Sequence, residues 1–395
     1  MGGRGTPGYV KPLCLLGCLL FIVAAIGNGI DRQAHYSTAL AARMPSLLAA
    51  DALAVRGEAS LNSGQFQSAL EDGTAAVLRA PVDPASAALL GSARLGLGDA
   101  AGAQRAMLVA GTMGWRVPLT QIYWMQQAAA LQQYPVAALR LDALLRQHPW
   151  MLSRTSLLAP LESVPEGRKA IADRLATAPP WLIAYASETS ELPIEVVAER
   201  AAVLGQLSAR GQKIGCDPVA PLVNKLVDAA RFAEAYGLWR GHCSDAGTGL
   251  IGDPDLVKLR TSGARSYFEW DVVGSADVSM ALVPAEASAQ MIEVHSEAPV
   301  SRTIMRQLLT IPPGRYRLEW RAIPLAGKSD PQVVAAVGCS PDPAGRLAAS
   351  KAAGQGSWQA DLAVSSDCPA HWLAFSVLAG SPDLRFGKIK LEAVR

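Results

Sequence analysis

Histidine is scarce in this chain. The five present, His35, His148, His242, His295 and His371, are scattered along 395 residues. They form no His-Glu-x-x-His pair and no His/Cys cluster at metal-ligand spacing. A G-x-S-x-G nucleophile elbow is missing, and so is a phosphate-cradling P-loop. Charged residues make up only 18% of the chain and the net charge is +2, with no long Lys/Arg run. That balance argues against a nucleic-acid partner. Calcium-loop spacing of acids is absent too; Ser329-Asp330 and Ser340-Pro341-Asp342 read as turns, as do Gly314 and Gly345. No cofactor and no metal are expected.

What is abundant is apolar surface, 50% of the residues, enough to bury cores in two or three domains. Alanine-rich, arginine-over-lysine usage points to a GC-rich bacterial genome. Residues 12–30 carry no charge and are long enough to cross a bilayer as a helix. Arg4 and Lys11 precede this run, Asp31 and Arg32 follow it, and no A-x-A cleavage site is evident. An uncleaved inner-membrane anchor is therefore expected, with residues 1–11 cytoplasmic and the bulk periplasmic. The alternative is secretion after signal-peptide cleavage. Two lookalikes are set aside. Leu15-Leu16-Gly17-Cys18 resembles a lipobox, but Leu19–Val23 continues the apolar run past it. Met1-Gly2 with Thr6 fits a myristoylation pattern that a bacterial origin disfavours. Of six cysteines, Cys14 and Cys18 lie in the apolar run. Cys216 with Cys243 and Cys339 with Cys368 form two pairs that become disulfides if the bulk is exported, and otherwise remain four buried thiols.

Small and aromatic residues recur at a step of about 34 positions: Gly57 and Gly91, Gly64 and Gly98, then Ala69, Ala103 and Ala137. Phe66 and Tyr134 stand two steps apart, as do Pro81 and Pro149. Across about Ser46 to Pro149 this set resembles the tetratricopeptide repeat family. The resemblance implies stacked helix pairs that approach closely at Gly57 and Ala69. Gly64 would permit the turn, Phe66 would fill the gap and Pro81 would close the second helix. The second unit lacks the aromatic and the closing proline; the third has Met125 and Gln132 in place of the glycines. Beyond Pro149 the register drifts and Pro179-Pro180 interrupts it. Helical patterns return at Ile194–Leu207 and Ala220–Arg240, the latter with a junction-like Ala230, Phe232, Ala235 and Trp239. Residues 31–259 are expected to form an α-solenoid, which offers either a groove to a protein partner or a spacer.

From about Leu259 the pattern changes to short alternating runs between Gly, Pro, Ser and Asp. Nine strands are expected: Tyr267–Val273, Val278–Leu282, Met291–His295, Arg302–Ile311, Arg315–Ile323, Val333–Val337, Ser357–Val364, Trp372–Leu378 and Gly387–Val394. Residues 260–395 thus read as a β-sandwich. Pro313-Gly314 leading into Tyr316 and Leu318, with the closing strand Phe386–Leu391, resembles jelly-roll carbohydrate-binding modules over about 130 residues. That resemblance implies sugar rings stacked on exposed aromatics. Trp270, Trp320 and Trp358 are in phase with apolar neighbours and read as core. Trp372 and Tyr267 are out of phase, and are candidates for a glycan-facing surface or for packing against a loop or the helices. Glu269 and Glu319 lie on the solvent side of their strands, but sequence does not bring them together as a glycosidase pair.

The fold expected is a transmembrane helix, an all-α tetratricopeptide-like solenoid and an all-β sandwich. The function expected is a non-catalytic binding and assembly protein of the envelope, with a protein partner on the solenoid and polysaccharide on the sandwich. A purely structural scaffold is the alternative, and a glycan-active sandwich enzyme a remoter one.

Overall fold

The computed structural model describes residues 10–243, 249–259, 263–285, 289–326, 333–342, 350–354 and 356–394. Arg4, Met1-Gly2 with Thr6, Ser329-Asp330 and Gly345 lie outside them. The chain divides into two compact units, Met1–His148 and Pro149–Arg395.

The first unit holds α1 (Val10–Ala34), α2 (Thr38–Arg43), α3 (Asp51–Asn62), α4 (Phe66–Arg79), α5 (Pro84–Gly96), α6 (Ala100–Met113), α7 (Pro118–Ala130) and α8 (Tyr134–Leu145). From α3 onward each helix packs on the next, and α3, α5 and α7 also touch in turn, so the helices form a layered stack. The spaced small residues explain the close approach. A Cβ on Gly57 would stand 2.5 Å from the Leu89 side chain, so α3 and α5 meet there only because the position is glycine. Ala69, Ala103 and Ala137 are fully buried. Phe66 fills the space over Gly96, where any Cβ would enter its ring. Gly64 (φ 72°) and Gly98 (φ 83°) make left-handed turns between helices, and Gln132 adopts the same conformation (φ 58°) without being glycine. Pro81 and Pro149 each follow a helix end.

Only one stripe of the long helix α1 is buried in this unit: Gly27, Asp31 and Ala34, at helical i, i+4, i+7 spacing. The Asp31 carboxylate accepts the N–H groups of Ala50 (2.9 Å), Asp51 (3.0 Å) and Ala52 (2.9 Å). It thereby caps the otherwise orphaned donors of the first turn of α3. The apolar side chains from Leu13 to Ile26 remain exposed. α1 is the one helix among the described residues long and apolar enough to cross a membrane.

The second unit begins with a 3-10 turn (Pro149–Ser153), then α9 (Thr155–Glu162), α10 (Pro165–Leu175), α11 (Leu182–Ser187), α12 (Ile194–Ala209), α13 (Cys216–Asp228) and α14 (Phe232–His242). These helices, read from sequence as continuing the stack, group with the strands instead. The single periodic run at Ala220–Arg240 is two helices, split where Ala230 turns left-handed (φ 59°). A charged cluster lies at their centre. Arg200 Nε donates to Glu162 Oε1 (3.2 Å), the Tyr185 hydroxyl donates to the same oxygen (2.8 Å), and Arg200 Nη2 donates to the Leu152 carbonyl (2.6 Å). Arg200 and Glu162 are both fully buried. Burial pushes the Glu162 carboxyl upward against the opposing pull of Arg200.

Ten strands follow: β1 (Asp271–Val272), β2 (Val278–Pro284), β3 (Gln290–Ser296), β4 (Arg302–Leu309), β5 (Gly314–Pro324), β6 (Val333–Gly338), β7 (Ser350–Gly354), β8 (Ser357–Val364), β9 (His371–Val377) and β10 (Leu384–Ala393). They build two antiparallel sheets, β1-β4-β9-β6 and β2-β3-β10-β5-β8-β7. Phe375 stands at the centre of the core, with ring centroids 4.7 Å from Phe386, 5.7 Å from Trp320 and 6.0 Å from Trp270. Tyr316, Leu318 and Trp320 alternate inward along β5 as their spacing requires. The run expected as a strand at Tyr267–Val273 is shorter: only Asp271 and Val272 form a strand, because the preceding residues make a turn whose backbone bonds to the Asn224 and Gln307 side chains. Both cysteine pairs are bonded, with Cα separations of 4.7 Å for Cys216–Cys243 and 5.8 Å for Cys339–Cys368. Cys18 is a free, exposed thiol.

Replacing Arg200 by Met is expected to cost about 3–5 kcal/mol in chemical denaturation, because it strands the buried Glu162 carboxylate. The double replacement Arg200→Met with Glu162→Leu should recover most of that loss. A double variant as unstable as the single one would show that the pair is not coupled.

Candidate functional site

The described residues between α14 and β1 are irregular, so their backbone polar groups find no ladder and must be met by side chains. Two amides meet them. Gln307, on β4 and 1% exposed, accepts the Gly252 N–H (3.1 Å) and donates to the carbonyls of Phe268 (2.9 Å) and Gly252 (3.3 Å). Asn224, on α13, accepts the Tyr267 N–H (2.8 Å) and donates to the Arg265 carbonyl (2.8 Å). The neighbouring carbonyls of Pro254 and Asp255 accept from Ile389 (3.0 Å) and Gln290 (2.9 Å), which ties the segment to β10 and β3. Trp239 of α14 lies on Phe268 at 5.3 Å between centroids, and Tyr236 meets the same ring at 5.3 Å. Helices and sandwich are thus bonded through this segment.

A cleft of about 330 Å³ remains where they meet. Its walls are the aromatic rings of Trp239, Phe268 and Trp270, and its polar groups are of both signs: Asp217, Asp253 and Glu269 against Lys258 and Arg265. Asp253 and Leu256 hold left-handed backbone (φ 45° and 56°). The turn is fixed by the Asp253 carboxylate, which accepts the N–H groups of Val257 and Lys258, each at 2.9 Å. Such strained turns persist only where surrounding bonds over-determine them. Glu269 accepts the Ser266 N–H (2.8 Å), and Arg265 pairs with Asp271 (3.3 Å). The volume suits a small polar ligand of monosaccharide size. Trp239, Phe268 and Trp270 are themselves 6%, 2% and 2% exposed, so they are packed walls of the cleft rather than open stacking faces, and its accessible rim is polar.

Trp372 and Tyr267 are together, as the sequence pattern grouped them, with centroids 5.3 Å apart. Trp372 is only 5% exposed, with the Arg306 guanidinium 5.6 Å from its ring, so it is not an open stacking platform. The alternation that marked it as solvent-facing fails because β9 is covered on both faces; Trp372, Ala374 and Ser376 are as buried as Leu373, Phe375 and Val377. Tyr267 is half-buried, and burial followed by the nearby Asp228 carboxylate raises its hydroxyl pKa. Glu269 lines the cleft, whereas Glu319 lines a separate open groove on the outer face of the six-stranded sheet, with Arg321, Lys388 and Lys390. Spacing gave no sign of Asp217, Lys258 or Trp239 as a group, because two different helices and an irregular segment supply them.

No group of three or more His, Cys, Asp or Glu side chains among the described residues could hold a metal ion. His295 sits between two carboxylates: Nδ1 lies 2.6 Å from Asp383, and Nε2 lies 3.5 Å from Glu297. The hydrogen bond to Asp383 raises its pKa above the ordinary 6.5.

No family model matches the chain, and no curated protein is similar to it. Among solved structures, the enzymatically active domain of bacteriophage CBA120 tailspike protein 4 shares 11% identity at a TM-score of 0.26, covering 37% of this chain and 21% of that one. TmCBM61, solved in complex with β-1,4-galactotriose, shares 14% identity at a TM-score of 0.26, covering 38% of this chain and all of that one.

In an NMR titration of the full chain, the His295 imidazole is expected to have a midpoint above 6.5 that falls toward it in Asp383→Asn. The raised folded-state pKa means that this pair stabilises the fold at low pH and stops doing so as pH rises through that midpoint. An unchanged midpoint in the variant would rule out the pairing.

Proposed function

We propose that this chain is a membrane-tethered, non-catalytic binding and assembly protein of a bacterial envelope. Its bulk is periplasmic, its tetratricopeptide-like helix stack docks a protein partner, and its second unit takes a glycan in polysaccharide production or export. The observation that carries the glycan part is the cleft. It joins three aromatic walls to polar groups of both signs, on a frame fixed by buried amides. The carboxylates support binding rather than catalysis, since Asp253 and Glu269 are engaged in holding backbone N–H groups. The buried stripe Gly27, Asp31, Ala34 supports retention of the last turns of α1, because cleavage beyond Gly27 would remove part of the first unit's own packing. Two disulfides support an oxidising compartment. A second reading, a purely structural scaffold, draws support from Trp372, which is buried against Tyr267 and Arg306 rather than open to a ligand.

The test is affinity electrophoresis of the detergent-solubilised full chain in gels containing acidic or neutral polysaccharides. Retardation by at least one polysaccharide is expected. It should weaken several-fold in Asp217→Ala with Lys258→Ala, two exposed rim residues whose loss should leave the fold intact. Equal retardation of the variant would move the site elsewhere, and free migration in every gel would leave the scaffold reading.

A further inference from the structure

We propose that the first unit does not merely hang from its anchor but sits in the bilayer interface, through an apolar collar formed by Leu47, Leu78 and Val82 around the end of α1. The inference rests on α1 spanning the membrane. Between the flanking charges of Lys11 and Asp31 the helix rises about 30 Å at 1.5 Å per residue. A hydrocarbon core is about 30 Å thick, so the whole interval is needed and its outer edge falls near Asp31. Asp31 is where α3 is capped, so the folded unit begins at that edge. One turn deeper, roughly 6 Å inward, lies Gly27. The side chain of Leu48 packs there so closely that a Cβ would stand 3.0 Å from it. The loop carrying Leu48 therefore reaches below the edge defined by Asp31.

Leu47, next to Leu48 in the chain, and two side chains of a second segment are apolar and uncovered. Leu47 is 75% exposed, Leu78 78% and Val82 82%, although they come from two separate segments. Those segments are joined, because Arg79 Nη1 donates to the Leu47 carbonyl. Leu48 ties the first segment to α1 and the Arg79 bond ties the second to the first, and lipid is the partner we assign to these side chains. Tyr36, 83% exposed and two residues past the end of α1, and the exposed Arg32 and Arg79 supply the aromatic and cationic side chains that favour the headgroup layer.

The test uses the full chain with Cys14→Ala and Cys18→Ala, reconstituted into vesicles of phosphatidylethanolamine and phosphatidylglycerol. Single cysteines are introduced as Leu78→Cys or Val82→Cys and labelled with a polarity-sensitive fluorophore. Leu20→Cys reports the depth of α1, and Leu131→Cys, on an exposed turn later in the stack, reports water. The labels at positions 78 and 82 should be blue-shifted and several-fold less quenched by aqueous iodide than the label at 131. If the label at 20 is protected while those at 78 and 82 are quenched like that at 131, the collar is refuted and the anchor stands. If the label at 20 is itself quenched like that at 131, the anchor fails and the collar with it.

Discussion

The second unit depends on the satisfaction of buried backbone in a segment that has no regular structure. Residues 249–259 and 263–270 run between helices and sheet, and each of their enclosed polar groups would cost on the order of 1–3 kcal/mol if left unpaired. Gln307 and Asn224 answer several of these groups at once, one from a strand and one from a helix. The amides thereby do more than stabilise. They fix the distance between α13, α14 and the sandwich, and so the width of the cleft. A site of this kind is rigid before any ligand arrives, which reduces the ordering cost of binding.

The first unit solves a comparable problem with a charge. Asp31 closes an apolar helix, but its carboxylate is spent on the donors at the start of α3 rather than on water. An anchor joined by a flexible linker would leave the folded unit free to tumble at the surface. Here the last turns of α1 are part of the packing, so the orientation of the helix stack is set by the orientation of the helix.

Much of this was legible in the sequence, for definite reasons. Gly57 marks a close helix approach because a Cβ there would strike Leu89, and Ala69, Ala103 and Ala137, spaced at the same step, are all fully buried. Along β8 burial follows the expected alternation from Ala360 to Val364, where one face of the strand is wet, whereas Ser357, Trp358 and Gln359 are all half-buried and Trp358, expected as core, lines the groove with Glu319. The same rule misled at Trp372, where alternation cannot reveal that a strand is covered on both faces. It also misled at Tyr267–Val273, where apolar and polar residues alternate but serve a turn clamped by Asn224. The cleft was not legible, because Asp217, Trp239, Lys258 and Glu269 meet only through the packing of α13 and α14 on the strands. Gln307, the residue that most constrains the site, looks like any polar residue in a strand.

The account is most directly tested by hydrogen–deuterium exchange of the full chain, read at the amides of Gly252, Tyr267 and Leu308. The first two are held by the Gln307 and Asn224 side chains, and the third donates to the Tyr267 carbonyl at 2.7 Å. If helices and sandwich are welded through this segment, these amides exchange as slowly as those in the middle of β4, despite lying in or beside irregular chain. Exchange at the rate of an open loop would contradict it, and would mean that the cleft is not formed in advance.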